Sequence, residues 1–219
     1  MTRKLDLPDS CAPMSEGLPF APSAARNAAP IGDVLARHLS AQGNVLELAS
    51  GTGQHAVAFA ARFPGLVWQS SDLAPRNLAT IRARVRATGL ATLRDPVTLD
   101  ACAPGWGMSR TGQDAVVLVN LLHLVSKPEA ATLLAEVPRA LVPGGVFAVY
   151  GPFRRNGVLH SEGDRAFDAH LRAQDPAIGY KDAAWVAERL RAGGLDLVEQ
   201  VEMPAGNLML IARRPSGSA

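Results

Sequence analysis

The spacing of apolar residues changes several times along the chain, and each change predicts an element. Ile31, Val34, Leu35 and Leu39 recur at helical spacing, in a helix that Pro30 starts or kinks after a shorter one capped by Ser23. "NVLEL" (44–48) is short, apolar and β-rich, and runs into Ser-Gly-Thr-Gly. "QHAVAFAARF" predicts a helix, "LVWQSS" a strand, and "APRNLATIRARVRATG" a helix stopped by Gly89. "PVTLD" predicts a short strand, and "DAVVLVN" a strand buried on both faces, because it lacks polar alternation. "KPEAATLLAEVPRAL" predicts a helix kinked at Pro138, then the "VPGG" turn and the strand "VFAVY".

Alternating strands and helices imply right-handed crossovers and a parallel sheet with helices on both faces. The last third departs from this. After the helices "DRAFDAHLRAQ" and "KDAAWVAERLRAGG" come the strands "LDLVEQVEM" and "NLMLIARR", separated only by "PAG". That link is too short for a parallel crossover, so an antiparallel pair closes one edge. Residues 1–22, rich in Pro, Ser and small side chains, predict an extended arm, and residues 23–219 a single domain.

Composition narrows the class. The chain has 219 residues, 47% apolar and 19% charged, as expected of a soluble globular domain with a substantial core. A net charge of +2 argues against a nucleic-acid partner, whose binders concentrate more positive charge. The longest apolar stretch, "AVVLVNLLHLV", is too short to span a bilayer and carries Asn120 and His123. The start, "MTRKLDLPDSCAP", puts charges and prolines where a signal peptide needs an apolar core, so a cytoplasmic protein is expected. Cys11 and Cys102 lie far apart without metal-ligand spacing, and no metal is expected.

The chemistry centres on "VLELASGTGQH" (45–55), which sets Glu47 in an apolar run and follows it with Gly51 and Gly53. A strand, a glycine turn and a helix bring backbone N–H groups and a positive helix end to the carboxyl edge of a sheet. Asp72 ends the second strand, where a carboxylate can accept both hydroxyls of a ribose. Asp100 ends the third, where it can meet an adenine amino group, and Glu47 suits an ammonium. The set suggests a ligand with a cation, a ribose and a base.

These residues resemble the class I methyltransferases that use S-adenosylmethionine. Glu47, Gly51 and Gly53 match that family's E/D-x-G-x-G-x-G motif, with Ala49 in place of the first glycine; Asp72 and Asp100 match its second and third motifs. "LVPGG" resembles the turn before its fifth strand. The resemblance implies an α/β Rossmann-like fold, a mostly parallel seven-stranded sheet in the order 3-2-1-4-5-7-6 with an antiparallel C-terminal strand. It also implies cofactor contacts from Leu73, Ala101 and Asn120. "PSAARNAAPI", "ELASGTGQHA" and "YGPFRRNG" with "FDAHLRAQDP" are similar to a methyltransferase-like family of bacteria and animals whose substrate is unknown. That likeness brings in Arg26, facing the cofactor's carboxylate from the arm, and Asn27 beside it.

Acceptor-side groups are expected past the fourth and fifth strands. His123 is a candidate base, since its unperturbed pKa lies near 6.5; the alternative is a packed histidine bonded to backbone. Tyr150 is a second catalytic candidate, and Tyr150, Phe153 and Arg154 join His123 as candidate substrate contacts. Arg82, Arg84 and Arg86 alternate along a helix and are expected to be solvated. The subtype signatures N/D-P-P-Y/F, Pro-Cys and paired glutamates are missing, which points to a small-molecule acceptor and not to RNA or protein. Three other readings compete: a less favoured RNA methyltransferase, S-adenosylmethionine binding without catalysis, and a nicotinamide-dependent oxidoreductase. The last draws on "GTGQHA", which satisfies G-x-G-x-x-A, with Asp72 at the usual offset.

Overall fold

The structure, a computed structural model, describes residues 5–7, 14–15 and 17–217. Cys11 lies outside them. The described residues up to Ala101 form one compact unit, and those from Cys102 onward a second.

In the first unit β1 (Met14–Ser15) and β2 (Leu18–Pro19) form a small antiparallel pair where the sequence suggested only an extended arm. There follow α1 (Pro22–His38), β3 (Gly43–Leu48), α2 (Gln54–Arg62), β4 (Leu66–Asp72), α3 (Pro75–Thr88) and β5 (Leu93–Thr98). β3, β4 and β5 pair in parallel, with Val45 opposite Trp68 and Glu47 opposite Ser70. α1 packs on α2, and α2 on α3. Ile31, Leu35, Leu46, Phe59, Trp68 and Ile81 are buried among them.

One expectation fails at α1. Ser23 lies inside the helix and not at its N-cap, and Pro30 neither starts nor ends a helix. Pro22 opens a single 17-residue helix after the extended Ala21, and Pro30 sits inside it. Proline forfeits one hydrogen bond there, but Ile31, Val34 and Leu35 are buried on the same helix, and that burial holds the chain helical through the proline. β5 also starts and stops early, so Asp100 lies two residues past its end. Pro96 is tolerated in β5 because that strand edges the sheet.

The second unit holds α4 (Trp106–Ser109), β6 (Gln113–Val119), a 3-10 turn (Leu122–Leu124), α5 (Lys127–Ala140) and β7 (Leu141–Gly151). It continues with α6 (Glu162–Gln174), α7 (Ala183–Ala192), β8 (Asp196–Glu202), a second 3-10 turn (Pro204–Gly206) and β9 (Leu208–Arg213). Residues 115–118 of β6 are buried throughout, as their uninterrupted apolar run requires. β9 runs antiparallel to both β7 and β8, and the alternating exposure of β8 is that of an edge strand. Ser126 and Glu129 form a capping box that starts α5, while Pro138 sits near its end without breaking it. α4 was not foreseen; it is four residues long and is held by buried Trp106 and by contacts to α5.

The seven longer strands lie in the order β5-β4-β3-β6-β7-β9-β8. Numbered without the small pair, this is 3-2-1-4-5-7-6, the order implied by the family resemblance. No helix among the described residues is long and apolar enough to cross a membrane. No group of three or more His, Cys, Asp or Glu among them could hold a metal ion.

Candidate functional site

The loop after β3 turns through left-handed backbone at Ala49 (φ 52°), Gly51 (φ 57°) and Gly53 (φ 76°). Ala49 therefore takes the conformation that the missing glycine would take, at the steric cost a Cβ carries there. The two glycines serve different ends. A Cβ on Gly53 would come within 2.9 Å of the Ile81 side chain, so this glycine lets the loop close on α3. A Cβ on Gly51 would project into open space, so this glycine supplies its φ and leaves the backbone approachable.

Three of the loop's N–H groups are already used. Gly51 N–H donates to Asp72 Oδ2 at 2.9 Å, and Gly53 N–H to the Ser50 carbonyl at 2.9 Å. Ser50 N–H donates to the Ser71 carbonyl, and the Ser71 hydroxyl to the Glu47 carbonyl, which lashes the loop to β4. Asp72 also accepts from Ala74 N–H at 2.8 Å and from Asn77 Nδ2 at 3.1 Å. It thus organises the loops on both sides of the strand end, a role its spacing alone did not reveal.

Glu47 is 1% exposed, and its Oε2 accepts from the Trp68 indole N–H at 2.6 Å. Burial is the main cause that pushes its carboxyl up to about 7, with the Asp72 charge adding and hydrogen bonds from Trp68 and Ser50 opposing. Leu73, next to Asp72, is an exposed apolar side chain, while Asp100 is half-buried and Ala101 buried. The first unit thus brings Glu47, Gly51, Gly53 and Asp72 together around one loop.

Among the arm residues, Arg26 is exposed and Asn27 buried. Asn27 Oδ1 lies 2.6 Å from His55 Nε2, and His55 stacks on Phe59. Burial lowers His55 to about 4, so it is neutral and donates to Asn27. Asn27 therefore spends its carbonyl joining α1 to α2, and is not aimed at a ligand through that atom. Arg84 is a second correction. It is no solvated surface group: its Nε donates to the Thr52 carbonyl at 2.8 Å, and Nη2 to the Pro19 carbonyl at 2.6 Å.

In the second unit Asn120 follows β6 in left-handed backbone (φ 55°), its N–H bonded to the Tyr150 carbonyl at 2.9 Å. His123 lies in the 3-10 turn, 6% exposed, between the rings of Phe167 and Tyr180. Its buried Nδ1 has no hydrogen-bond partner, and burial, helped by the Lys181 charge, lowers it to about 3. A histidine held neutral to that degree is a weak base, contrary to the role its position suggested. Lys181 is itself buried, its ammonium donating to the Val125 and Gly179 carbonyls.

Tyr150 is 3% exposed, and its hydroxyl accepts from Asn207 Nδ2 at 3.0 Å; Phe153 is 2% exposed. Arg154 is held within the unit, by an ion pair to Asp168 at 2.7 Å. Burial alone would raise the Asp168 carboxyl, but Arg172, the Tyr180 N–H and Arg154 hold it below the usual carboxylate range. Arg155 likewise pairs with Glu202. The two arginines thus brace their loop while staying partly open to solvent, Arg154 at 30% and Arg155 at 21% side-chain exposure.

Comparison with known proteins adds a family and a fold. The model of the family described as "Protein of unknown function (DUF938)" matches residues 18–214. An O-methyltransferase family protein from Burkholderia thailandensis superposes with a TM-score of 0.77 at 21% identity, over 90% of this chain and 58% of that one. Human N-acetylserotonin methyltransferase, in complex with SAM, gives 0.72 at 15% identity, over 88% and 53%. An O-methyltransferase family 2 protein from Planctomyces limnophilus, in complex with apigenin, gives 0.70 at 17%, over 87% and 59%. The chain shares their class I methyltransferase fold and spans little more than half their length.

Proposed function

The chain belongs to the DUF938 family, and from that premise and its class I methyltransferase fold we propose that it transfers a methyl group from S-adenosylmethionine to a small-molecule acceptor. In this reading residues 23–219 work as one methyltransferase domain. The observation that carries it is the state of the glycine loop. Gly51 and Gly53 have both given their N–H groups to acceptors of the protein, Gly51 to the Asp72 carboxylate, while the Glu47 carboxyl lies buried on the strand that leads into the loop. A pyrophosphate needs free N–H donors and suffers beside a carboxylate, and at Gly51 the donor is already given to the Asp72 carboxylate, which disfavours a nicotinamide dinucleotide there. A ligand with an ammonium and a ribose fits this donor set.

Glu47 and Asp72 are the proposed partners of the cofactor's ammonium and ribose hydroxyls. Leu73 and Ala101 offer apolar contact to the base, Asp100 an acceptor for its amino group, and Asn120 a further polar contact. Arg26, exposed on α1, is the proposed partner of the carboxylate. When bound, the cofactor supplies an electrophilic methyl group on a sulfonium. The residues of this chain contribute positioning, which can supply much of the acceleration of a direct displacement.

On the acceptor side Tyr150, at the end of β7, and Phe153 and Arg154, in the loop after it, remain the proposed contacts, with Arg154 held by Asp168. Burial and the Lys181 charge hold the His123 imidazole far below its ordinary pKa, which makes it a weak base toward an ordinary alcohol. This favours an acceptor whose nucleophile needs no strong base, such as an acidic hydroxyl or an amine lone pair.

The same facts favour a second reading, in which the protein binds S-adenosylmethionine without transfer, because Tyr150 and His123 are buried and Arg154 is paired with Asp168. Incubation with the tritiated-methyl donor, a metabolite extract and total RNA separates the readings. Label in small molecules supports the proposal, label in RNA redirects it, and donor binding without transfer supports the second reading.

A further inference from the structure

Both glycines of the cofactor loop sit in left-handed backbone, so the Thr52 peptide between them has few steric restraints of its own. It is held instead by bonds at both ends. The Thr52 carbonyl accepts from Arg84 Nε, and the N–H of the same peptide plane, that of Gly53, donates to the Ser50 carbonyl. The Arg84 guanidinium does not stop there. Its Nη2 donates to the Pro19 carbonyl in β2, 65 residues away along the chain, at 2.6 Å.

A second residue makes the same join. Gln54 Oε1 accepts from Ala21 N–H at 2.6 Å and from the Thr52 hydroxyl at 2.9 Å, while Gln54 Nε2 donates to the Ala21 carbonyl at 3.3 Å. Gln54 thus reads Ala21 as a neighbouring strand would, through both its N–H and its C=O. Between them, Arg84 and Gln54 fasten residues 19–21 to residues 52–54. Arginine suits the first join because its planar fork fixes two donors in one geometry, which a lysine ammonium cannot do.

We propose that Arg84 and Gln54 are positioning residues that couple the N-terminal segment 18–21 to the cofactor loop, so that ordering either one orders the other. The inference rests on the cofactor reading above and names the residues that set how tightly this loop holds its ligand. Neither residue touches the cofactor in this role; each acts through the Thr52 peptide or its hydroxyl. Because coupling between two sites is reciprocal, a bound cofactor must protect the segment by the same factor by which the segment tightens the cofactor.

Hydrogen exchange at the Ala21 amide and calorimetric titration with S-adenosylhomocysteine test this on the full chain, using wild type, R84A, R84K and Q54A. In wild type the ligand slows exchange at Ala21. In R84A and Q54A that slowing is lost and the dissociation constant rises about tenfold, a usual size for coupling between sites. R84K, with one ammonium in place of the fork, falls between wild type and R84A. Unfolding midpoints and tryptophan fluorescence establish that each variant is folded, and Q54A tests the coupling even if R84A is not. Ala21 exchange unchanged in both variants overturns the inference, as does freed exchange with affinity within twofold of wild type. Wild type that binds no S-adenosylhomocysteine overturns the cofactor reading itself, and the two failures are told apart by which protein is silent.

Discussion

Glu47 shows how one side chain can be unfavourable for the fold and suited to a ligand. Its carboxyl is pushed up to about 7 from 4.5, so the native state holds a proton there that the unfolded chain has released. Stability from this group is therefore full below about pH 4.5, falls as pH rises through about 7, and stays low above it. E47Q keeps an oxygen for the Trp68 indole and removes the buried charge. We expect E47Q to raise unfolding stability at pH 8 by roughly 1–3 kcal/mol while weakening S-adenosylmethionine binding; urea melts and titrations at that pH check both. His123 has the opposite sign. Lowered to about 3 from 6.5, it binds its proton in the unfolded chain first, so its contribution is present above pH 6.5 and lost as pH falls towards 3. H123F should recover on the order of 2 kcal/mol at pH 5 and none by this route at pH 8, read from urea midpoints at the two values.

Elements whose signal is local were legible from the residues alone. The β3 run, its glycine turn and α2 fell where the spacing put them, as did the Gly89 stop of α3, which takes a left-handed φ of 63°. The α1 start was misread because Ser23 and Pro30 are ordinary helix punctuation, and only the burial of Ile31, Val34 and Leu35 on the same helix overrides it. Arg84 was misread for a different reason. Its partners are carbonyls of Pro19 and Thr52, and no residue type in the sequence advertises a carbonyl. Asn27, expected beside the cofactor, bonds His55, which lies 28 residues on, beyond any local pattern. At the loop itself, Ala49 carries a Cβ in left-handed backbone. A49G relieves that strain, partly offset by greater freedom in the unfolded chain, and should stabilise the protein by about 0.5–1 kcal/mol in thermal or urea unfolding. G53A should do the reverse, because its Cβ would press on Ile81.

For the molecule as a whole, the alternation of elements and the short link around "PAG" before β9 were enough to infer the sheet and its antiparallel edge. The candidate site was legible only in part. Its acidic residues mark strand ends, and strand ends are visible in sequence. The acceptor side was not, because burial decides whether His123, Tyr150 and Arg154 face a ligand or the interior, and their residue types allow either. The account therefore stands or falls on ligand choice. Isothermal titration of the full chain at pH 7.5 with S-adenosylhomocysteine and, separately, with NAD tests it most directly. One-site binding of S-adenosylhomocysteine with no heat from NAD is the predicted result; saturable NAD binding with none for S-adenosylhomocysteine contradicts it.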